Sequence, residues 1–267
     1  MRRLKPALVS ILAAALLLFG SIVSAEELRQ DFSQRYELAP GASVSLKNTN
    51  GSIVVSSWAE NDVLVEATKV IKTLGRSRAE DAMRDLRIEI SRPSGDLEIR
   101  TRHPQSASGI SGWLFGRHVT ARVSYRVKVP KGTAVRATTV NGNIGMDAID
   151  GEIVVETTNG KILITEARGK AKVSTTNGSI RAEFTHLAAG DDMSFRTTNG
   201  SITVYLPKDL PCTVNASTVN GAVSTDFAIP IKSHGHRGHK RLQADINGGG
   251  GELTMRTVNG SIQLRKK

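Results

Sequence analysis

The chain has 267 residues, of which 39% are hydrophobic and only 4% aromatic, and its formal net charge is +11. Its single cysteine, Cys212, excludes an intrachain disulfide, so stability must come from a buried core and backbone hydrogen bonds. A basic protein is biased towards anionic partners, such as acidic glycans or phospholipid headgroups. Nucleic acid is not an expected partner, because aromatic residues are few and no nucleic-acid-binding motif is present.

The first 25 residues have the layout of a secretory signal peptide. Three cationic residues precede an apolar run from Ala7 to Val23, and small residues end the run at Ser24 and Ala25. We expect cleavage after Ala25 and export to the periplasm or the extracellular space. The alternative is an uncleaved anchor helix, for which the run is short. Removing three cations leaves a net charge of 11 − 3 = +8 on residues 26–267.

The region 26–130 is expected to contain β coils of degenerate sequence, together with one helix and one insertion. Ser77 and Glu80 match a capping box, and apolar residues then recur at helical spacing, so a short helix is predicted over residues 77–87. Residues 102–118 form the insertion. Its aromatic residues are a candidate contact tip, unless they fold back onto the strands: Trp113 and Phe115.

The rest of the chain repeats one phrase, Thr-x-Asn-Gly-x-Ile or a close variant, of which a first copy lies earlier. Successive asparagines from Asn141 to Asn220 are 18, 18, 22 and 21 residues apart, and Asn259 follows 39 residues later. That last step is about two periods, so we expect a missing copy at Ile246-Asn247-Gly248-Gly249. The pairs form a candidate structural turn ladder: Asn50 and Gly51, Asn141 and Gly142, Asn159 and Gly160, Asn177 and Gly178, Asn199 and Gly200, Asn220 and Gly221, Asn259 and Gly260.

Each period contains two short runs of β-branched residues with alternating polarity, which predicts two strands and two turns. Asn-Gly between such strands is typical of a β-hairpin, so an antiparallel meander is one solution. The recurring Thr before each pair and the aliphatic residue after it favour a right-handed β-solenoid, with about 18–22 residues per coil. Asn and Thr side chains would then hydrogen-bond to their own copies in neighbouring coils. The predicted fold is therefore all-β, with one short helix.

The regular repeats are predicted to occupy residues 131–267, with a His-rich insertion at residues 232–241. The His-x-His-x-x-His spacing suits Zn²⁺ or Ni²⁺, so His234, His236 and His239 are a candidate metal site. No acid or cysteine completes a ligand set nearby, and the glycines and basic neighbours are equally typical of a solvated loop. We expect no other cofactor.

Taken together, these phrases resemble the DUF4097 family, whose members are also described as candidate adhesins. The resemblance rests on the Thr-x-Asn-Gly-x-Ile repeats, on the segment from Tyr125 to Gly132 that leads into them, and on the closing segment from Gly248 to Leu253. It spans roughly residues 40–265. It implies a β-helical, exported or membrane-associated bacterial protein, and it offers no catalytic residues to carry over.

The sequence leaves three classes of function open. Uniform repeats and positive charge favour a non-enzymatic adhesin, binding or scaffold module of the bacterial envelope, whose partner is an anionic glycan, a membrane surface or another envelope protein. A polysaccharide-acting enzyme on a β-helix would need clustered acids. The nearest are Asp191 with Asp192 and Asp147 with Asp150, all of which resemble turn residues. The third class is an extracytoplasmic regulatory protein that binds a partner. The sequence does not determine the oligomeric state.

Overall fold

The computed structural model describes residues 25–103, 119–188, 190–229 and 240–267. These ranges contain one α-helix, α1 (Arg76–Asp85), and twenty strands. The strands are β1 Ala25–Glu37, β2 Ser43–Lys47, β3 Ile53–Trp58, β4 Asp62–Leu74, β5 Arg87–Ser91, β6 Leu97–Arg102, β7 Thr120–Pro130, β8 Ala134–Asn141, β9 Ile144–Asp147, β10 Ile153–Asn159, β11 Ile162–Arg168, β12 Ala171–Asn177, β13 Ile180–His186, β14 Met193–Asn199, β15 Ile202–Leu206, β16 Cys212–Asn220, β17 Val223–Thr225, β18 Lys240–Ile246, β19 Gly251–Asn259 and β20 Ile262–Lys266.

The strands form two ten-stranded sheets. Sheet 1 has the order β1-β4-β7-β3-β9-β11-β13-β15-β20-β17, and sheet 2 has the order β18-β16-β19-β14-β12-β10-β8-β2-β6-β5. A regular coil contributes one strand to sheet 2, turns at its Asn-Gly pair and contributes the next strand to sheet 1. Neighbouring coils pair in parallel, which excludes the antiparallel meander for the repeats. The prediction of an all-β, solenoid-like fold is confirmed.

The core lies between the two sheets and follows from the alternation along each strand. In β12, Ala171, Val173 and Thr175 are buried, while Lys172 between them is exposed. Phe184 and Phe195 are fully buried and meet edge to face, with ring centroids 6.1 Å apart. Burying each large apolar side chain contributes about 1.5–3 kcal/mol, so the alternation itself drives the two sheets together.

The order of the last coils differs from the order of the sequence. The C-terminal pair β19–β20 lies between β14–β15 and β16–β17, so Asn259 is next to Asn199 and Asn220 comes last. The segment that was expected to be a missing copy is a crossover instead. It leaves β18, which runs antiparallel to β16, and passes the start of β16 to reach β19. A Cβ on Gly250 would lie 2.7 Å from the Pro211 carbonyl oxygen, which explains a glycine run there.

The N-terminal region combines coils with antiparallel strands. The coil β2–β3 carries the first Asn-Gly pair, and the layer β6–β7 lies next to it, with the 102–118 insertion in place of a corner. Strands β4 and β1 then extend sheet 1 antiparallel, and β5 extends sheet 2 in the same way. Only two layers of this region are therefore coil-like.

Helix α1 packs against β4 and β1 and contributes Ala79 and Ala82 to the core, and Leu86, directly after the helix, is buried there too. The predicted capping box is wrong. The helix begins at Arg76, its N-cap is Gly75, and no side chain caps it. Glu80 pairs instead with Arg76, at 3.1 Å between Oε1 and Nε, because the two residues are one turn apart on an exposed face. Within the described ranges, no helix is long and apolar enough to cross a membrane.

Candidate functional site

The seven asparagines of the repeats lie in one column at one edge of the stack. After the first asparagine, each Nδ2 donates to the Oδ1 of the preceding asparagine in the column, at 2.8–2.9 Å. All seven side chains run in one continuous series, so each inner amide both donates and accepts. The order along the column is Asn50, Asn141, Asn159, Asn177, Asn199, Asn259 and Asn220.

We expected the threonines that lie two positions before the asparagines to hydrogen-bond to their own copies in neighbouring coils. They do not. Their hydroxyls donate to a backbone carbonyl of the neighbouring coil, which in five of six cases belongs to the corner glycine. Thr175, for example, is buried, and its Oγ1 lies 3.1 Å from the Gly160 oxygen. A carbonyl is the better partner, because this hydrogen bond satisfies a backbone acceptor that the corner leaves inside the protein.

The corner glycines are required by close approach of one backbone to the next. A Cβ on Gly160 would lie 1.9 Å from the Gly142 carbonyl oxygen, and a Cβ on Gly178 would lie 1.9 Å from that of Gly160. Real Cβ atoms essentially never come within 3.0 Å of such an atom. Every coil of the column repeats this contact, so any larger residue at the corner would separate two coils.

The column ends where the repeat ends. The first copy has Asn48 in place of threonine, and this buried side chain donates to the Val123 carbonyl at 2.8 Å. The layer β6–β7 has no Asn-Gly corner. The side chain of Asn48, which is longer than that of threonine, reaches the backbone of β7 in this layer. Asn48 Oδ1 has no partner among the described residues. The first ladder asparagine, Asn50, donates to the Ala121 carbonyl of β7 at 3.4 Å, so the series of amides ends on the backbone at this end.

The outer face of sheet 2 contains a groove of about 450 Å³ that spans β12, β14 and β19 and reaches Glu152, just before β10. Arg196 and Arg256 are opposite each other in the parallel register of β14 and β19. Lys172 on β12 is opposite Ser194, two residues before Arg196. These side chains are exposed, and no described acid lies within 4.0 Å of their nitrogens. We call the groove, with Lys170, Lys172, Arg196 and Arg256, the basic groove.

Three acids line the end of the basic groove where the strands begin, at the same end as Lys170: Glu152, Asp192 and Glu252. Asp192 is engaged by the backbone, since its Oδ1 accepts from the Glu252 amide at 2.9 Å. Two of the other acids considered for catalysis hold turns: Asp150 accepts from the Gly132 amide, and Asp191 accepts from the Ala188 amide. Asp147, at the end of β9, accepts from the Thr165 hydroxyl at 2.6 Å. In the described parts of the chain, no group of three or more His, Cys, Asp or Glu could hold a metal ion.

Sequence reasoning missed the basic groove, although a signal for it exists. Arg196 and Arg256 each lie three positions before a ladder asparagine, so they occupy equivalent places in their coils. At the same place the other copies have Lys47, Thr138, Glu156, Ser174 and Ser217. Aligning the copies would have placed both arginines on one face. The two arginines are neighbours only because β19 lies between β14 and β16. The sequence did not indicate this position.

Two sets of predicted site residues lie outside the described residues. The candidate contact tip, Trp113 and Phe115, belongs to residues 104–118, and the candidate metal site belongs to residues 230–239. Both stay predictions. The candidate metal site consists of His234, His236 and His239. Cys212 is buried, and burial raises the pKa of its thiol to about 11, which makes it unreactive.

Parallel two-stranded coils, joined by an Asn-Gly column at one edge and basic on one outer face, define a solenoid-type repeat protein. The family model for Toastrack DUF4097 matches residues 42–265. The chain therefore belongs to this family, as the resemblance of its repeats indicated. Comparison with curated proteins finds no match.

One solved structure shares the fold. A candidate cell adhesion protein from Clostridium sporogenes is 14% identical, with a TM-score of 0.51, and the match covers 90% of this chain and 100% of that chain. Candidate adhesins from Bacteroides fragilis and Parabacteroides distasonis are 9% and 11% identical, and each match covers 89% of this chain and 97% of theirs. Their TM-scores are both 0.29, too low to support a shared fold. The Clostridium structure supports the fold, but at 14% identity it indicates no function.

Proposed function

We propose that this protein is an exported, non-enzymatic binding module of the bacterial envelope, and that its basic groove binds an anionic glycan. The observation that carries the proposal is the exposed set of Lys172, Arg196 and Arg256, which have no acid partner among the described residues. Unpaired cations on adjacent strands, about 4.8 Å apart, match closely spaced carboxylates or sulfates along a polymer.

A glycan suits this face better than a membrane. Among the described residues, the large hydrophobic side chains that are exposed lie elsewhere. Val54, Leu74 and Leu163 belong to sheet 1, Val119 directly precedes β7 of that sheet, and Val140 and Val258 lie beside the asparagine column. Binding in the plane of a membrane needs apolar side chains that enter the lipid. A polar, groove-shaped and basic surface instead accommodates an extended chain of charged sugars.

Export is part of the proposal. The expected cleavage after Ala25 would remove the apolar segment and would leave β1, Ala25–Glu37, with all but its first residue. An N-terminal sequence beginning at Glu26, determined on protein recovered from the periplasm or the medium, tests this part. A mature protein that still begins at Met1 contradicts it.

Binding is tested with the exported protein on immobilised acidic polysaccharide, for example polygalacturonate, over a series of salt concentrations. The affinity should fall steadily as salt rises, because the interaction is between exposed charges. The double variant Arg196→Glu/Arg256→Glu should weaken binding at least about tenfold, which corresponds to 1.4 kcal/mol. Binding that is insensitive to salt and to both substitutions contradicts the proposed site.

The matched control is Arg122→Glu/Arg126→Glu, on the outer face of sheet 1. Both arginines are exposed on β7, and this variant has the same net charge as the groove variant. Its binding should stay close to wild type. Two further experiments distinguish the alternative functions. Release of reducing ends or unsaturated sugars from the polysaccharide, with and without Ca²⁺, would show an enzyme. Preferential binding to anionic vesicles would show a lipid ligand.

A further inference from the structure

Strand β1 has the longest unpaired edge among the described strands. Its thirteen residues pair with β4 along one side and with no described strand along the other. The other sheet ends are formed by β5, β17 and β18, which have five, three and seven residues. An edge of this length presents a row of free backbone N–H and C=O groups and favours pairing with another chain.

Nothing within β1 blocks such pairing. The strand contains no proline, and its register with β4 runs without a bulge from Ala25 to Glu37. The side chains of Leu28, Phe32 and Tyr36 face the core but are only partly buried. A further strand alongside β1 would cover this remaining apolar surface, which supplies a driving force for association.

The charges on the opposite face of β1 determine which partner fits. Every second residue points to the outer face, so one exposed row contains Glu27, Arg29, Asp31, Ser33, Arg35 and Glu37. From Arg29 to Glu37 the signs are plus, minus, neutral, plus and minus, so this part of the row is antisymmetric about Ser33. Glu27 would be opposite Ala39, beyond the end of the strand. An antiparallel copy of the same strand, centred on Ser33, would place Arg29 opposite Glu37 and Asp31 opposite Arg35, in both directions.

Other antiparallel registers fit less well. Centring the pair on Phe32 would place Arg29 opposite Arg35 and Glu27 opposite Glu37, so like charges would meet four times. Centring it on Gln30 leaves only the two contacts between Arg29 and Asp31. The register centred on Ser33 gives four opposite-charge contacts and no like-charge contact. Residues directly opposite have Cβ atoms about 4.5–5.5 Å apart, close enough for these charges to decide the register.

We propose that β1 pairs antiparallel with β1 of a second copy of this chain, about a two-fold axis at Ser33. The two copies of sheet 1 then form one continuous sheet of twenty strands. A two-fold contact uses the same surface on both copies and closes, so it gives a dimer and not a fibre. The dimer removes an edge that would otherwise promote aggregation.

Existing contacts of these residues leave room for the new ones. Arg35 Nη1 lies 3.1 Å from Asp62 Oδ2, and Asp31 Oδ1 accepts from the Thr68 hydroxyl at 2.7 Å. A guanidinium has five N–H donors and a carboxylate has about four acceptor positions, so each group retains capacity for a partner across the axis. Arg29 also lies 3.6 Å from Glu27 Oε1, and the Arg35 guanidinium lies over the Trp58 ring, 5.1 Å from its centroid.

Charge exchange tests the register. Arg29→Glu/Arg35→Glu makes the row acidic, and Asp31→Arg/Glu37→Arg makes it basic. Each variant alone should dimerise at least about tenfold more weakly than wild type, because four attractions become repulsions. An equal mixture of the two should form a mixed dimer, since every opposite pair then joins unlike charges. Analytical ultracentrifugation of the chain, produced from its full reading frame and purified after export, measures the masses.

Cross-linking tests the axis. Ser33→Cys places one thiol on each copy at the two-fold axis, and mild oxidation should convert the variant into a covalent dimer. Arg35→Cys is the control, because its own copy would lie four residues away along the strand, about 13 Å. Cys212 does not interfere, since it is buried. The control for the first experiment is Arg196→Glu/Arg256→Glu, which changes the basic groove and should dimerise like wild type.

A wild-type chain that sediments as a monomer at high concentration would overturn the proposal. So would a dimer that both charge variants form as readily as wild type, or that Arg35→Cys links and Ser33→Cys does not. Formation of the mixed dimer also shows that each variant folds. Because the groove control keeps β1 intact, loss of glycan binding and loss of dimerisation are separate results.

Discussion

The two turns of each coil follow opposite rules. At the Asn-Gly corner, the aliphatic residue that begins the next strand always comes three positions after the asparagine. At the opposite turn the length varies: Ile162 to Ala171 is 9 residues, whereas Ile180 to Met193 is 13. That difference of 4 accounts for the whole change in period from 18 to 22. The length of the Asn-Gly corner is therefore constant from coil to coil, and the difference in period lies in the opposite turn.

The physical cause is how close neighbouring coils come. At the corner, backbone meets backbone, and a Cβ on Gly178 would lie 1.9 Å from a carbonyl oxygen. At the opposite turn, Gly132 has nothing within 4 Å of where its Cβ would be. The approach of the coils varies at this edge: Gly169 has no atom nearer than 3.8 Å, whereas a Cβ on Gly151 would lie 2.3 Å from the Thr133 carbonyl oxygen. In the described part of the chain the contact is thus close at every Asn-Gly corner and at only some of the opposite turns. Changes at a corner and at an open turn such as that of Gly132 should therefore differ in their effect on stability.

The largest effect is expected from Gly178→Ala. The added methyl group must separate two coils, so we expect a loss of more than about 3 kcal/mol in the free energy of unfolding, or no folding at all. Gly132→Ala is the matched control at the opposite turn. It has room for the methyl group and pays only for its positive φ of 76°, about 1–2 kcal/mol. Urea denaturation measures both, and equal losses would contradict the contrast.

The next effect is expected from Thr175→Val, which removes a buried hydroxyl and leaves the Gly160 carbonyl without its donor. The free energy of unfolding should fall by about 1–3 kcal/mol. The neighbouring Thr176 is the control, because its side chain is exposed, and Thr176→Val should stay within about 0.5 kcal/mol of wild type. A comparable loss in both variants would mean that the buried hydrogen bond is not the cause.

A smaller loss is expected from Asn177→Ala. Asn177 takes part in two ladder bonds, to Asn159 and from Asn199, but its side chain is exposed, so the loss should be about 1 kcal/mol. Asn220 ends the column and makes only the bond to Asn259, so Asn220→Ala should cost about half as much. Thermal unfolding of the two variants side by side checks this ratio. A greater loss at Asn220 would argue against a ladder of similar bonds.

The smallest effect is expected from lengthening the opposite turn. Inserting Gly-Ser between Gly169 and Lys170 should cost less than about 1 kcal/mol, because loop-closure entropy grows slowly with length. The same two residues inserted between Gly160 and Lys161 interrupt the corner and should prevent folding. Circular dichroism and urea denaturation distinguish these outcomes. Tolerance of the corner insertion would show that the column does not fix the stack.

The repeated phrase was sufficient to predict the coil, because every copy has the same neighbours above and below. Threonine, asparagine, glycine and the aliphatic residue each occupy one place in a coil, so periodicity gave the two strands, the two turns and the asparagine corner. The chemistry of threonine was misjudged. A pattern shows which residues align, but not that the Thr175 hydroxyl bonds to the Gly160 carbonyl and not to the next threonine.

Where the phrase was absent, the sequence predicted less. The helix was expected at residues 77–87 and lies at Arg76–Asp85, with Gly75 and no polar side chain at its N-cap. Nothing local indicated that β1 and β4 run antiparallel, since strands of either direction show the same alternation. The basic groove was missed because Arg196 and Arg256 are 60 residues apart and become neighbours only through the order of the coils.

The sequence alone therefore determined the repeating unit. It is a coil of two strands that turns at Asn-Gly and points its aliphatic residues inward. Only the tertiary structure decided how the units follow one another, including the position of β19 between β14 and β16 and the unpaired edge of β1. The reason is that a coil is specified by contacts within one period, which recur in every copy. The order of coils is specified by long-range packing, in which copies with the same phrase offer equivalent surfaces to one another.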